Sequence, residues 1–313
     1  MKRPVTRRAL PIAGAAVLGL AATAAAVSAG PAHRASAATD PVRQALSPVT
    51  GKILNVARPV DTTPVSPEKL THPQADDMGT VSAGNLLQQV ISGARNATGT
   101  RRAGIDISSR QGNVNWSAVA PHVDFSIAKA TEGTYYANPY YQGQNSGAAN
   151  HGIIHGAYHF AIPDNSGGAA QADFFVAHGG NRTAGTKTLP GALDIEYNPY
   201  GRECYGLSQG QMRTWIRDFA DEYAFDTGVF PLIYTTADWW NTCTGDLLGL
   251  GATNAAFGLT DPLWLASYSS SAGSLPAGYL SYAFWQYADA GHQPGDQDYY
   301  NGPYATLLAL AEG

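Results

Sequence analysis

Two carboxylates stand one residue apart, Asp194 and Glu196, where an apolar run from Leu189 to Ile195 ends. In a β-strand alternate side chains share a face. Asp194 and Glu196 would then lie on the same side, about 6 to 7 Å apart along the backbone, with Ile195 in the packing behind them. Two acids on one face at a strand end let one carboxyl hold a proton while its neighbour is ionised, as general acid catalysis requires. The plainer reading is an exposed strand end carrying two solvated acids. The elements around the pair decide between the two.

Short apolar, β-rich runs recur through the second part of the chain: 104–108, 125–129, 153–160, 192–196, 229–235, 263–267, 282–287 and a short one near Gln297. Helix-compatible stretches separate most of them, which predicts an α/β fold with a mainly parallel sheet. The clearest helix follows Ser208, where Met212, Trp215, Ile216, Phe219 and Tyr223 form one stripe and Gly228 lies past the end. After about residue 262 the runs crowd together and leave little room for helices. The expected architecture is therefore a modified TIM-like β/α barrel with an irregular, helix-poor last third; an open doubly wound sheet is the alternative. In a parallel barrel, chemistry collects at the carboxyl ends of the strands. Asp106 falls within the first run, Glu132 just after the second, Asp194 and Glu196 at the end of the fourth and Asp298 in the last.

The ends of the chain read differently. Lys2, Arg3, Arg7 and Arg8 precede an Ala-rich apolar stretch from Ala9 to Ala29, and Ala35-Ser36-Ala37 offers a small-x-small cleavage site, so residues 1–37 read as a secretory signal peptide. Its removal takes five of the 19 basic residues and none of the 24 acids, moving the net charge from −5 to −10. An acidic surface excludes nucleic acid as the main partner, and no membrane contact is expected after signal cleavage. From Ala38 to Ala103 there is no Phe, Tyr or Trp, and six prolines fall between Pro41 and Pro73. Residues 38–103 are thus expected to be a poorly structured linker or pro-region, with a short helix compatible with 85–94. All six Trp follow, which sets the domain over 104–313.

Three patterns have simpler accounts than the chemistry they suggest. Gly206-Leu207-Ser208-Gln209-Gly210 matches a serine-hydrolase elbow but lacks a preceding core strand, whereas Ser208 with Gln211 forms a capping box for the helix that follows. His151, His155 and His159 have zinc-ligand spacing only on a helix, and the residues between them favour a strand, so no metal is expected. Cys204 and Cys243, an even count on an exported chain, are expected to pair. Tyr197, Tyr200, Tyr234, Trp239, Trp240, Trp264, Trp285 and Tyr287 cluster at or past the strand ends; most belong to the core, and the remainder suit stacking on sugar rings.

With these residues in view, the domain resembles the glycoside hydrolase family 25 lysozymes of Chalaropsis type, and the secreted actinobacterial N,O-diacetylmuramidases among them. The matching stretches are 104–108 with Gln111-Gly112, 129–133, 156–161, 193–196, 233–235 and 284–287. Residues 204–208 and 239–245 match the actinobacterial subgroup, its disulfide included. The resemblance implies a modified β/α barrel that hydrolyses the β-1,4 bond between N-acetylmuramic acid and N-acetylglucosamine in bacterial peptidoglycan. It carries Glu196 over as general acid, with Asp194, Asp106 and Asp298 as partnering carboxylates and Glu132, Tyr158, Tyr234 and Trp285 as substrate contacts. It implies a secreted monomer with no cofactor. A chitin-type N-acetylglucosaminidase and a non-catalytic wall-binding protein on the same fold are the rival readings. Product analysis on chitin oligomers separates the first, and unchanged wall lysis by Glu196→Gln would mark the second.

Overall fold

Two strands precede the domain boundary read from the sequence, β1 (Arg43–Leu46) and β2 (Ile53–Val56). After it come β3 (Arg102–Ile107), β4 (Phe125–Glu132), β5 (Tyr136–Ala137), β6 (Ile154–Phe160), β7 (Ala192–Asp194), β8 (Leu232–Thr235), β9 (Leu263–Ala266), β10 (Phe284–Ala288) and β11 (Asp296–Tyr300). A computed structural model describes residues 42–59, 101–183, 185–245 and 252–313. The signal peptide read over 1–37 and the helix read over 85–94 lie outside the described residues.

Each of the eight apolar runs contributes a strand to one sheet. Strands β3, β4, β6, β7, β8, β9 and β10 pair in parallel in that order. Strand β11 closes the ring by pairing antiparallel to both β10 and β3. The result is an eight-stranded barrel whose last third departs from strict alternation: β10 follows β9, and β11 follows β10, with no helix between them. Elsewhere helices return the chain: α1 (Trp116–Val119), α2 (Tyr141–Asn150), α3 (Gly168–Phe175), α4 (Gln209–Thr227), α5 (Ala237–Thr244) and α6 (Ala252–Thr260), with α7 (Tyr304–Glu312) after the last strand. No helix among the described residues is long and apolar enough to cross a membrane.

Strand alternation sorts the core into two layers. Phe125, Ile127, Ile154, Tyr158, Tyr234, Trp264 and Phe284 fill the barrel, while Leu193, Ile195 and Ile233 face out against Met212, Trp215, Ile216 and Phe219 of α4. Burying a side chain such as Phe219 contributes about 1.5 to 3 kcal/mol. Helix α4 begins as its sequence directs, with Ser208 and Gln211 completing a capping box, and ends on Gly228 in the left-handed conformation (φ 77°). Ser208 is thus a helix cap, its Oγ accepting from the Gln211 backbone N–H and its hydroxyl donating to Gln211 Oε1.

The segment expected to lack structure contains one element that has it. Strands β1 and β2 form an antiparallel hairpin whose Ala45 and Val56 pack on Ala220, Ala224, Phe225 and Phe230. Leu46 bridges in parallel to Val229, and its backbone N–H donates to Gly228 at 2.8 Å while its carbonyl accepts from Phe230 at 3.2 Å. Val229 leads into the amino end of β8, so the hairpin sits on the barrel end opposite the carboxyl termini of the strands. A cavity of about 510 Å³ lies at that same end, lined in part by Pro48, Asp261, Tyr279, Tyr282 and Leu310.

Candidate active site

The carboxyl ends of the parallel strands gather acids. Asp106 is the fifth residue of β3, Asp194 the last of β7, Glu196 lies two residues beyond it, and Asp298 is in β11. All four are 3% exposed or less. The β10–β11 register sets Gln286 opposite Asp298, and the β11–β3 register sets Asp296 opposite Asp106, so these side chains point into the same end of the barrel.

One amide organises this end. Gln286 Nε2 donates to Asp106 Oδ2 at 2.8 Å and to Asp296 Oδ2 at 3.2 Å. Its Oε1 accepts the hydroxyls of Tyr234 and Tyr268, each at 2.8 Å. Trp264 Nε1 donates to Asp298 Oδ1 at 2.9 Å. Asp194 differs from its neighbours: among the described residues, no group donates a hydrogen bond to either of its carboxylate oxygens.

Burial is the largest influence on every one of these acids that shifts. It raises Asp194 well above the usual carboxyl range, the Glu196 charge adds to the rise, and the Lys129 ammonium opposes it. Asp106 is pushed up to about 7 by burial, against hydrogen bonds from Gln286 and Asp298. The phenols of Tyr158 and Tyr234 are pushed well above their ordinary value, first by burial and then by neighbouring charge, including that of Asp106, Asp194 and Glu196. Tyr158 and Tyr234 therefore lie beside the acidic cluster.

Two other candidates do not join it as open groups. The Glu132 Oε2 accepts from Lys129 Nζ at 2.6 Å, and its Oε1 accepts from Tyr135 at 2.7 Å and Tyr200 at 2.6 Å, so its acceptors are engaged within the protein. Trp285 is next to the inward Gln286 and so faces the other way. It packs against Tyr282, Tyr287 and Tyr299 under the Arg101 guanidinium and donates its indole N–H to Ser267. The site residues not singled out from the sequence for a role here are Gln286, Tyr268, Asp296 and Lys129. Inward parity with Phe284 identifies Gln286 once β10 is assigned.

Cys204 and Cys243 form a disulfide with Cα atoms 5.4 Å apart, tying the segment after Glu196 to α5. The three histidines are dispersed: His151 follows α2, His155 hydrogen-bonds Thr188, and His159 is buried between Thr131 and Gln171 with its pKa lowered to about 3 by that burial. Among the described residues one group of acids could share an ion, Asp173, Glu222 and Asp226. Arg58 already lies 2.8 Å from Glu222 and 3.2 Å from Asp226.

A β/α barrel with buried, closely set acids at the carboxyl ends of its strands is a framework on which glycoside hydrolysis can be built, and the chain's relatives are glycoside hydrolases. The sequence profile described as Glycosyl hydrolases family 25 matches residues 105–296, and the chain belongs to that family. It is 47% identical over 214 residues to Lysozyme M1 of Streptomyces globisporus, covering 66% of this chain and 70% of that protein. It is 42% identical over 215 residues to the N,O-diacetylmuramidase of Chalaropsis sp, covering 67% and 99% respectively. Among solved structures, the muramidase from Acremonium alcalophilum superposes with a TM-score of 0.64 at 47% identity, over 68% of this chain and 99% of that one.

Proposed function

We propose that this glycoside hydrolase is a secreted muramidase that cuts the β-1,4 bond between N-acetylmuramic acid and N-acetylglucosamine in bacterial peptidoglycan, with Glu196 as general acid. Residues 1–37 act as the export signal and residues 104–313 carry the catalysis. The names of its relatives, lysozyme and N,O-diacetylmuramidase, support the activity. The disulfide supports work in an oxidising, extracellular setting.

The observation that carries the residue roles is the state of Asp194, buried beside Glu196 with both oxygens open. Burial and the Glu196 charge both favour the protonated form of Asp194, and two closely set buried carboxyls do not both ionise, so the resting pair shares a proton. A 2-acetamido sugar supplies the missing donor. Once its N–H donates to Asp194, the ionised form of Asp194 is favoured and the proton of the pair passes to Glu196. The Lys129 ammonium pulls in the same direction. Glu196 then protonates the leaving glycosidic oxygen while the acetamido carbonyl closes on the anomeric carbon. Ionised Glu196 takes a proton from the water that reopens that ring, which restores the pair.

Digestion of purified peptidoglycan with the mature chain and with Glu196→Gln, followed by reduction and mass spectrometry, tests the reading. Wild type is expected to give fragments ending in reduced muramic acid, and the variant to be slower by about 10²- to 10⁴-fold. Fragments ending in reduced glucosamine would move the cut to the other glycosidic bond. Equal digestion by both proteins would remove Glu196 from its role.

A further inference from the structure

Asp298 is closed off from solvent. It is 0% exposed, and its Oδ1 is taken by the Trp264 indole. No N–H or O–H group among the described residues donates to its Oδ2. In contact with it, at hydrogen-bonding range, is a second carboxyl, Asp106 of the facing strand β3. A further acidic charge bears on it from Asp296 of its own strand. Two carboxyls in contact in a dry barrel interior do not both ionise, so one of them keeps a proton.

The Gln286 amide decides which one. Its oxygen receives two phenol hydroxyls; turned over, that oxygen would face two carboxylates instead. Its nitrogen is therefore fixed as a donor to Asp106. Asp106 has two N–H donors that stabilise its ionised form, the Gln286 amide and its own backbone, whereas Asp298 has one, the Trp264 indole on Oδ1. We propose that Asp298 works as a neutral acid whose O–H donates to Asp106, a positioning residue that holds Asp106 in register with the cleft and contacts no substrate. Burial and the Asp106 charge both push Asp298 well above the ordinary carboxyl range, in agreement with this assignment. The inference rests on the muramidase reading for its catalytic consequence and reassigns Asp298 from the partnering carboxylates.

Asparagine is the discriminating replacement. Its Oδ1 can accept from Trp264 and its Nδ2–H can donate to Asp106, so Asp298→Asn reproduces both bonds of the neutral acid, and Asp298→Ala reproduces neither. Misplacing a catalytic group by about 1 Å costs on the order of 100-fold in kcat. Asp298→Ala is expected to show a loss of that size, and Asp298→Asn to recover most of it with the wild-type shape of the pH–kcat profile. The wild-type minus Asp298→Asn infrared difference spectrum should show one buried protonated-carboxyl band lost, over and above the bands of Asp194 and Asp261 that both proteins share. If Asp298→Asn is as impaired as Asp298→Ala, or loses a limb of the pH profile, Asp298 acts as a charge and the proposal fails. The infrared band tests the proton even where Asp298→Ala does not fold. A wild-type protein that releases no muramic acid ends would overturn the muramidase reading instead, leaving that band to be judged on its own.

Discussion

Lys129 and Glu132 form an ion pair at 2.6 Å with neither side chain exposed to solvent. Residues three apart in a regular strand face opposite ways. Here the β4–β6 register shifts between Lys129 and Thr131, and the extra residue of that bulge returns Glu132 to the side of Lys129. Removing one member leaves the other charged and buried, which costs about 3 to 5 kcal/mol. Lys129→Met is expected to lower the denaturant midpoint accordingly, while Lys129→Met with Glu132→Gln recovers part of the loss. A double-mutant cycle by urea unfolding checks this, and additive losses would show that the pair is not coupled. Lys129→Met should also lower kcat, because the ammonium that favours ionised Asp194 is gone.

Gly295 holds the turn into β11 at φ 78°, in the left-handed region, and a Cβ there would collide with the backbone carbonyl of Asp106. Both constraints act beside an acid of the site. Gly295→Ala is expected to displace Asp106 and lower kcat by on the order of 100-fold. Circular dichroism should show a folded protein. Unchanged kinetics would mean that the turn moves without carrying Asp106.

Much of the barrel can be read without coordinates because each strand is apolar over a continuous run and α4 carries its own start and stop signals. The acids at the strand ends follow from the same runs. The hairpin at Arg43–Val56 is invisible to composition, since the segment has no aromatic residue of its own and packs on Phe225 and Phe230 of the domain. Gln286 needs more than parity: its role depends on Asp106, 180 residues away. Trp285 fails for the converse reason, since one step of strand alternation turns it outward from the motif that suggested it. The β4 bulge that joins Lys129 to Glu132 has no sequence signature.

Arg58 joins the hairpin to the domain through Glu222, whose side chain is 1% exposed, and through Asp226. Burial and the charge of Asp173 raise Glu222 to about 8, and Arg58 opposes that rise. Arg58→Ala is expected to destabilise the protein by about 1 to 2 kcal/mol, less than a fully buried pair because Arg58 is partly exposed. Peptidoglycan digestion should be unchanged below the melting transition, because the hairpin lies at the barrel end away from the acids. Inhibition relieved by Arg58→Ala would instead tie the hairpin to the cleft.

The disulfide closes a loop with a sequence separation of 39. In the chain-entropy view such a closure stabilises by about 3 to 4 kcal/mol, through the unfolded chain. The paired Cys204→Ala and Cys243→Ala variant should lose stability of that order under oxidising conditions. Reduced wild type should match it. A variant as stable as the oxidised protein would show that the bridge constrains nothing in the unfolded state.

Asp261 gives the pH dependence of stability a site that can be isolated. Its carboxyl is fully buried at the amino end of the barrel, and burial raises it from 3.8 to about 7 despite Arg217 at 3.5 Å. The folded state therefore binds its proton more tightly than the unfolded state does. The stability this supplies is complete below pH 3.8 and is lost as the pH rises through 7. At about 1.4 kcal/mol per pKa unit, the loss attributable to Asp261 is at most on the order of 4 kcal/mol. Asp106, also raised to about 7, and Glu222, raised to about 8, push the same way, so the wild type is expected to be more stable at pH 4 than at pH 8. Asp261→Asn removes this one titration and stays neutral throughout. Urea unfolding at both pH values should show the variant gaining on the wild type at pH 8 relative to pH 4, with peptidoglycan digestion intact. A variant offset that is the same at both pH values would mean that Asp261 binds its proton equally in the folded and unfolded chain.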